Sequence, residues 1–271
     1  MLAISSAAAA DRKADAAPVD PNRLGGLAWT QRTGGALTGN EPRRLLGAIA
    51  RAQYEDLIGR IKLATGRRPE RAAAIDVDSF VPPDSRLARE AEAACQDQPP
   101  AIVNHSYRTW MFGNALAALD RVQLDPELYY AASLLHDFGI TSPTQGTCFT
   151  LRGAERAMEV AERAQADGAA IERIGDAICA HVTPGVSVAS DGALASYIQW
   201  GAMVDGAGLR IWDISPSNVE KTLAAYPRLQ LKRELGGMIK TEVAAMPKGR
   251  FAFIVRYGGF PLAVRLAPFK E

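Results

Sequence analysis

The chain has 271 residues, 48% of them hydrophobic, and its 31 Lys+Arg and 30 Asp+Glu leave a net charge of +1. That length suits one large domain, or one domain with an extension, with ample apolar material for a core. The charge balance offers no basic field for nucleic acid, and no Lys/Arg cluster is interleaved with aromatics, so nucleic acid is excluded as a partner.

Residues 1–40 are rich in Ala, Gly and small polar residues and read as a flexible N-terminal extension, with one docked segment at Leu27-Ala28-Trp29. The opening MLAISSAAAA lacks a positive start and runs into DRKAD, so it does not read as a signal peptide. No run approaches a membrane span, and the expected location is the cytoplasm, with no membrane partner. Residues 41–82 form a helical N-terminal segment: Leu45, Leu46, Ile49, Tyr54, Leu57 and Ile61 carry a helical pattern up to about Thr65, before a loop that ends at Pro82-Pro83. SRLAREAEAACQ is a short amphipathic helix.

PPAIVNHS then opens the helix of greatest interest. His105, Arg108, Phe112, Leu116 and Leu119 lie at i, i+3, i+7, i+11 and i+14, so the histidine shares the inward face with apolar residues. The next helix has Asp125 as N-cap, Pro126 at its first position and Gly139 past its last turn, which delivers His136-Asp137 to its C-terminal end. After the loop TSPTQGTCFT come helices over about 151–166 and 169–182; the second carries Ile171, Ile174, Ile178 and His181 on one face. From Gly192 to Val204 no residue is charged, and Leu194, Ile198 and Gly201 lead to Asp205 on the same side. Ser215-Pro216 starts another helix and a further one spans about 229–245. FAFIVRYGGF, in the C-terminal segment 251–271, is the one stretch with strand-like character. The fold class is all-α.

His105, His136 and His181 are the whole histidine complement. Imidazoles and carboxylates on buried faces are costly unless something pairs with them. His105, His136, Asp137 and Asp205 together offer two imidazole nitrogens and two carboxylates, all ligands for a first-row divalent ion. Such a site leaves positions for water, which loses a proton near neutral pH when metal-bound and becomes a nucleophile. Zinc is the first choice of cofactor, with iron, manganese and nickel also suited to mixed N/O ligation. Cys95 and Cys179 read as apolar fillers, Cys148 lies in a loop near the His136-Asp137 turn, and the absence of any CxxC spacing fits a reducing compartment.

His105, the pair His136-Asp137 and the later Asp205 resemble the H…HD…D signature of the HD-domain superfamily of metal-dependent hydrolases, over roughly residues 83–245. NHSYRTWMFG, LLHDFGIT, FTLRGAERA, AICAHVTPG, GAMVDGAG and YPRLQLK are most similar to its cyanamide-hydratase-like branch. The resemblance implies an HD domain over 83–250, a helical bundle with one metal between core helices. It further implies a metal-bound water that adds to a small nitrile-like electrophile, as cyanamide becomes urea. Phosphohydrolase branches look like HDxGK, whereas Ile140 stands here in the lysine's place. Phosphoryl transfer needs cationic clamps. Arg108 is the cation nearest the metal, with Arg152 a less certain second; Arg108 is equally readable as a salt bridge that orients a ligand carboxylate.

His181 is a candidate general acid or base, or a contact to the substrate, beside the alternative of a satisfied core histidine. Thr183 is a candidate hydrogen-bond partner for a small polar substrate, or a helix-end cap. Tyr107 and Trp110 are core aromatics or pocket lining, and Asp213 is turn chemistry. The expected partner is a small molecule, and a homo-oligomer stays open. The rivals to a hydratase are a phosphohydrolase acting on nucleotides or phosphomonoesters, and a non-catalytic regulatory domain that keeps the fold.

Overall fold

A computed structural model of the chain describes residue 20 and residues 22–271. Its described residues form twelve α-helices joined by loops and short 3-10 turns, with only two isolated β-bridges among them. The flexibility expected of residues 1–19 lies outside the described residues. Residues 22–40 are more structured than the expected extension, and the segment expected to dock at Leu27-Ala28-Trp29 does so. Helix α1 (Leu27–Thr33) docks on the body with Trp29 buried, and Arg23 pairs with both Asp176 and Asp191.

Helix α2 (Glu41–Ala64) lies along the surface, and α3 (Arg86–Cys95) starts from Ser85, whose side chain accepts from Ala88 N–H. Two helices then build the centre. Helix α4 (Pro100–Asp120) carries His105 and Arg108, and α5 (Pro126–Leu135) starts on Pro126 with Asp125 accepting from Leu128 N–H. Both helices are buried on almost every side, so their stability comes from packing rather than from local propensity.

Helices α6 (Phe149–Arg163) and α7 (Gly168–Ala180) pack on α5 and on each other, and α8 (Val188–Ala207) returns antiparallel to α4. The α4–α8 contact is close because two glycines allow it. A Cβ on Gly201 would lie 2.2 Å from Thr109 O, and one on Gly113 would lie 2.6 Å from Tyr197 O. The register is therefore Gly113 opposite Tyr197 and Thr109 opposite Gly201. One more turn brings His105 opposite Asp205. Close backbone approach, a packing device, is what makes those two side chains meet.

Helices α9 (Pro216–Ala225) and α10 (Leu231–Ala245) close one side. The strand-like FAFIVRYGGF is instead helical: α11 (Arg250–Tyr257) precedes α12 (Phe260–Leu266). Its β-branched and aromatic residues suit strands, but Phe251 and Ile254 at i and i+3 are buried, and that burial overrides the propensity. No helix among the described residues is long and apolar enough to cross a membrane.

Candidate metal centre

His105 comes from the first half of α4, His136 caps the end of α5, Asp137 follows it, and His181 caps the end of α7. All four are buried. His105, His136 and Asp137 each offer a ligand atom within 4.8 Å of the others, which could hold a metal ion. The Asp137 carboxylate is the hub. His105 Nε2 lies 3.4 Å and His136 Nε2 3.5 Å from its Oδ2, and His181 Nε2 lies 3.5 Å from its Oδ1.

The opposite nitrogen of each ring decides its tautomer. His136 Nδ1 is 2.8 Å from Ser133 O and His181 Nδ1 is 2.7 Å from Ile178 O. A carbonyl only accepts, so each Nδ1 carries the proton and each neutral ring turns a bare Nε2 lone pair inward. His105 Nδ1 lies 2.6 Å from Asp205 Oδ2 and donates to it, with the same consequence. Three lone pairs and a carboxylate thus face one another. His136 Nε2 is buried with no hydrogen-bond partner. A buried polar atom of that kind is costly when unmet, and a cation meets it. The residues present fit a divalent metal.

Asp205 is placed differently from expectation. It was expected among the ligands, but it faces the back of His105 rather than the lone pairs. Both its oxygens are taken: Arg108 Nε donates to Oδ1 at 2.8 Å and NH2 to Oδ2 at 2.9 Å, while Arg228 NH1 donates to Oδ1 at 2.5 Å. The structure brings Asp205 to the histidine and not into the ligand group. Arg108 takes the second of its two readings, a salt bridge that orients a carboxylate, and its remaining N–H donates to Tyr226 O and Pro227 O. Arg228, unremarked in the sequence, completes this clamp.

Thr183 turns away from the cavity. Its hydroxyl accepts from Arg250 NH1 at 2.6 Å, and its amide donates to Ala180 O at the end of α7, so it braces a helix terminus rather than greeting a substrate. Arg152 is likewise engaged, donating to Gly139 O at 2.8 Å, to Thr147 O and to Glu242 Oε2 at 2.7 Å. It fastens the turn after Asp137. Glu242 also accepts from Phe149 N–H at 2.8 Å, a support that no spacing in the sequence revealed.

The titration directions follow from this geometry. Burial works against the charged form of Asp137, but His136, with His105 and His181 beside it, holds its carboxyl well below the usual range. Burial likewise opposes ionisation of Asp205, and the Arg108 guanidinium with His105 overcomes it and lowers the pKa. His105 is pulled the other way by burial, yet Asp137 and Asp205 raise it. Burial lowers His181. Cys95 and Cys179 are pushed up to about 12 by burial, which suits inert fillers. Cys148 is a free, buried thiol.

His105, Asp137 and His181 supply the polar part of a cavity of about 40 Å³. Ile140, Phe149, Met203, Phe251, Ile254 and Phe260 are prominent in its apolar wall. A water needs roughly 10–15 Å³ in this measure, so the space holds about three water-sized groups. No arginine or lysine lines it. Compared with known proteins, the chain matches no family model and no curated sequence.

Proposed function

We propose that this protein is a metal-dependent hydratase or hydrolase of the HD type, acting on a small uncharged electrophile. The preferred reaction is hydration of a nitrile-like C–N bond, as in the conversion of cyanamide to urea. The observation that carries the metal is the convergence of three imidazole lone pairs on one carboxylate, with His136 Nε2 buried and otherwise unpartnered. His105, His136 and Asp137 would hold the ion, zinc being the first candidate. A divalent ion there supplies Lewis acidity, which acidifies water and polarises an unsaturated C–N bond.

The chain's own residues do the rest. The apolar wall excludes bulk water and selects compact substrates by size. His181 presents its Nε2 lone pair at the cavity beside Asp137 and accepts the proton that an adding water gives up, later returning it to the substrate nitrogen. Asp205, clamped by Arg108 and Arg228, fixes the His105 tautomer and ring orientation, as carboxylates behind ligating histidines do.

The cavity composition weighs against phosphoryl substrates. Ile140 occupies the wall where a phosphate would need a cation, and the guanidiniums of Arg108, Arg152, Arg228 and Arg250 are turned to protein acceptors. Elemental analysis of purified protein is expected to give near-stoichiometric metal, lost in His136→Ala. Assays with cyanamide and with a nucleotide and phosphomonoester panel, in zinc and in manganese, are expected to yield urea and no phosphate. Phosphate release would overturn the substrate assignment. A metal-loaded protein inert on both panels would favour a regulatory domain.

A further inference from the structure

Helix α2 presents an apolar stripe to solvent. Its inner side is seated: Leu45 and Ile49 are buried, and Gly59 lies so close to the Trp212 ring that a Cβ would come within 2.0 Å of it. On the opposite side Leu46, Tyr54, Leu57, Ile58 and Ile61 are 38–65% exposed. With Ala50 between them, their positions i, i+4, i+8, i+11, i+12 and i+15 lie on one helical face along most of the helix. Among the described residues this face is uncovered. Contiguous exposed apolar surface on a folded protein marks a site of association.

We propose that the occupant is α2 of a second copy, crossing antiparallel about a twofold axis between Gln53 and Tyr54. Most of the stripe repeats about that point, although the mate of Ile58 is the inward-facing Ile49. Leu46 meets Ile61 of the second copy, Ala50 meets its Leu57, and Tyr54 lies over its Gln53, as an isologous contact requires. The charges beside the stripe agree at the centre. Arg51 and Glu55 occupy the same edge and form an exposed intrahelical pair at 3.0 Å. Under the twofold, each Arg51 reaches the other copy's Glu55. Farther out, Arg44 and Lys62 share that edge and would oppose one another if the axes ran side by side. A shallow crossing of about 20° keeps the Leu46–Ile61 contact, and the two cations, at the solvated edge, are screened. One helix pair is a small interface, so association on the order of micromolar is expected.

The test is sedimentation or light scattering of the full chain, loaded from about 5 to about 300 µM. The wild type is expected to pass from one to two chain masses across that range. Leu57→Asp, Arg51→Glu and Glu55→Arg are each expected to stay monomeric, with unchanged metal content and melting temperature. The decisive arm mixes Arg51→Glu with Glu55→Arg. Each alone repels itself, but together they set two acidic residues against two basic ones, and a heterodimer is expected. A wild type monomeric throughout overturns the proposal. A monomer that co-floats with phosphatidylserine vesicles overturns it in favour of a lipid surface. A dimer indifferent to these substitutions places the interface elsewhere.

Discussion

Asp205→Asn separates a carboxylate that ligates the metal from one that holds His105 in place. The substitution keeps the volume and removes the charge. Asp205 is fully buried and accepts from Arg108 twice, from Arg228 and from His105 Nδ1. An amide must point its NH2 at two of those donors whichever way it is flipped; Arg108 loses its anion and Arg228 keeps only Glu271. Breaking a buried ion pair by removing one partner costs about 3–5 kcal/mol. For a chain of this size, each kcal/mol moves the melting temperature by roughly 2–4 °C. Thermal unfolding of the metal-free protein is therefore expected to fall by about 10 °C. Metal affinity, read by competition with a chromophoric chelator, is expected to weaken by about 10–100-fold, the usual effect of losing a partner behind a ligand. Complete metal loss in a variant that still folds would refute the supporting role and return Asp205 to the ligand set. An unchanged melting temperature would refute the energetics.

Three further outcomes are expected. His181→Ala should retain most of the metal and lose about 10²–10⁴-fold in turnover of any substrate found, as removal of a proton-transfer group does; equal loss of metal would make it a ligand instead. Gly201→Ala places a Cβ 2.2 Å from Thr109 O, forcing α4 from α8, and should cost about 1–3 kcal/mol in chemical denaturation; no loss would show that the helix pair can breathe. Asp137 and Asp205 have folded-state pKa values below their unfolded ones. Their contribution is thus complete above the unfolded value near about 3.9 and is lost as pH falls toward the folded values. Metal-free protein should show a nearly flat melting temperature from neutrality to about pH 5 and a decline below it. A decline that begins near pH 6.5 would point to the histidines instead.

Much of this molecule is legible from spacing. Caps such as Asp125-Pro126 and Ser215-Pro216 mark helix starts that the structure keeps, and the period of His105, Arg108 and Phe112 sets one inward face. His105, His136 and Asp137 come together where polar residues interrupt buried stripes. What periodicity does not carry is which atom of a side chain faces which neighbour. Asp205 ends its apolar helix as expected, but its direction depends on Arg228, which lies after the Tyr226-Pro227 turn and shares no helix with it. Thr183 takes the helix-end role of its two readings, because α7 ends at Ala180 and the turn beyond it rotates the hydroxyl toward Arg250. The C-terminal segment did carry a signal: Phe251 and Ile254 stand one helical turn apart, but local β propensity masked it.

The glycine contacts between α4 and α8 have a further consequence for how the cavity can vary. That pair already sits at backbone contact and carries His105 and Asp205, so it has no room to give. Phe251, Ile254 and Phe260 line the chamber from α11 and α12, outside that fixed frame. Descendants of this chain that come to accept bulkier molecules would change there first, trimming aromatic rings at the C-terminal end while the metal-holding half stays as it is.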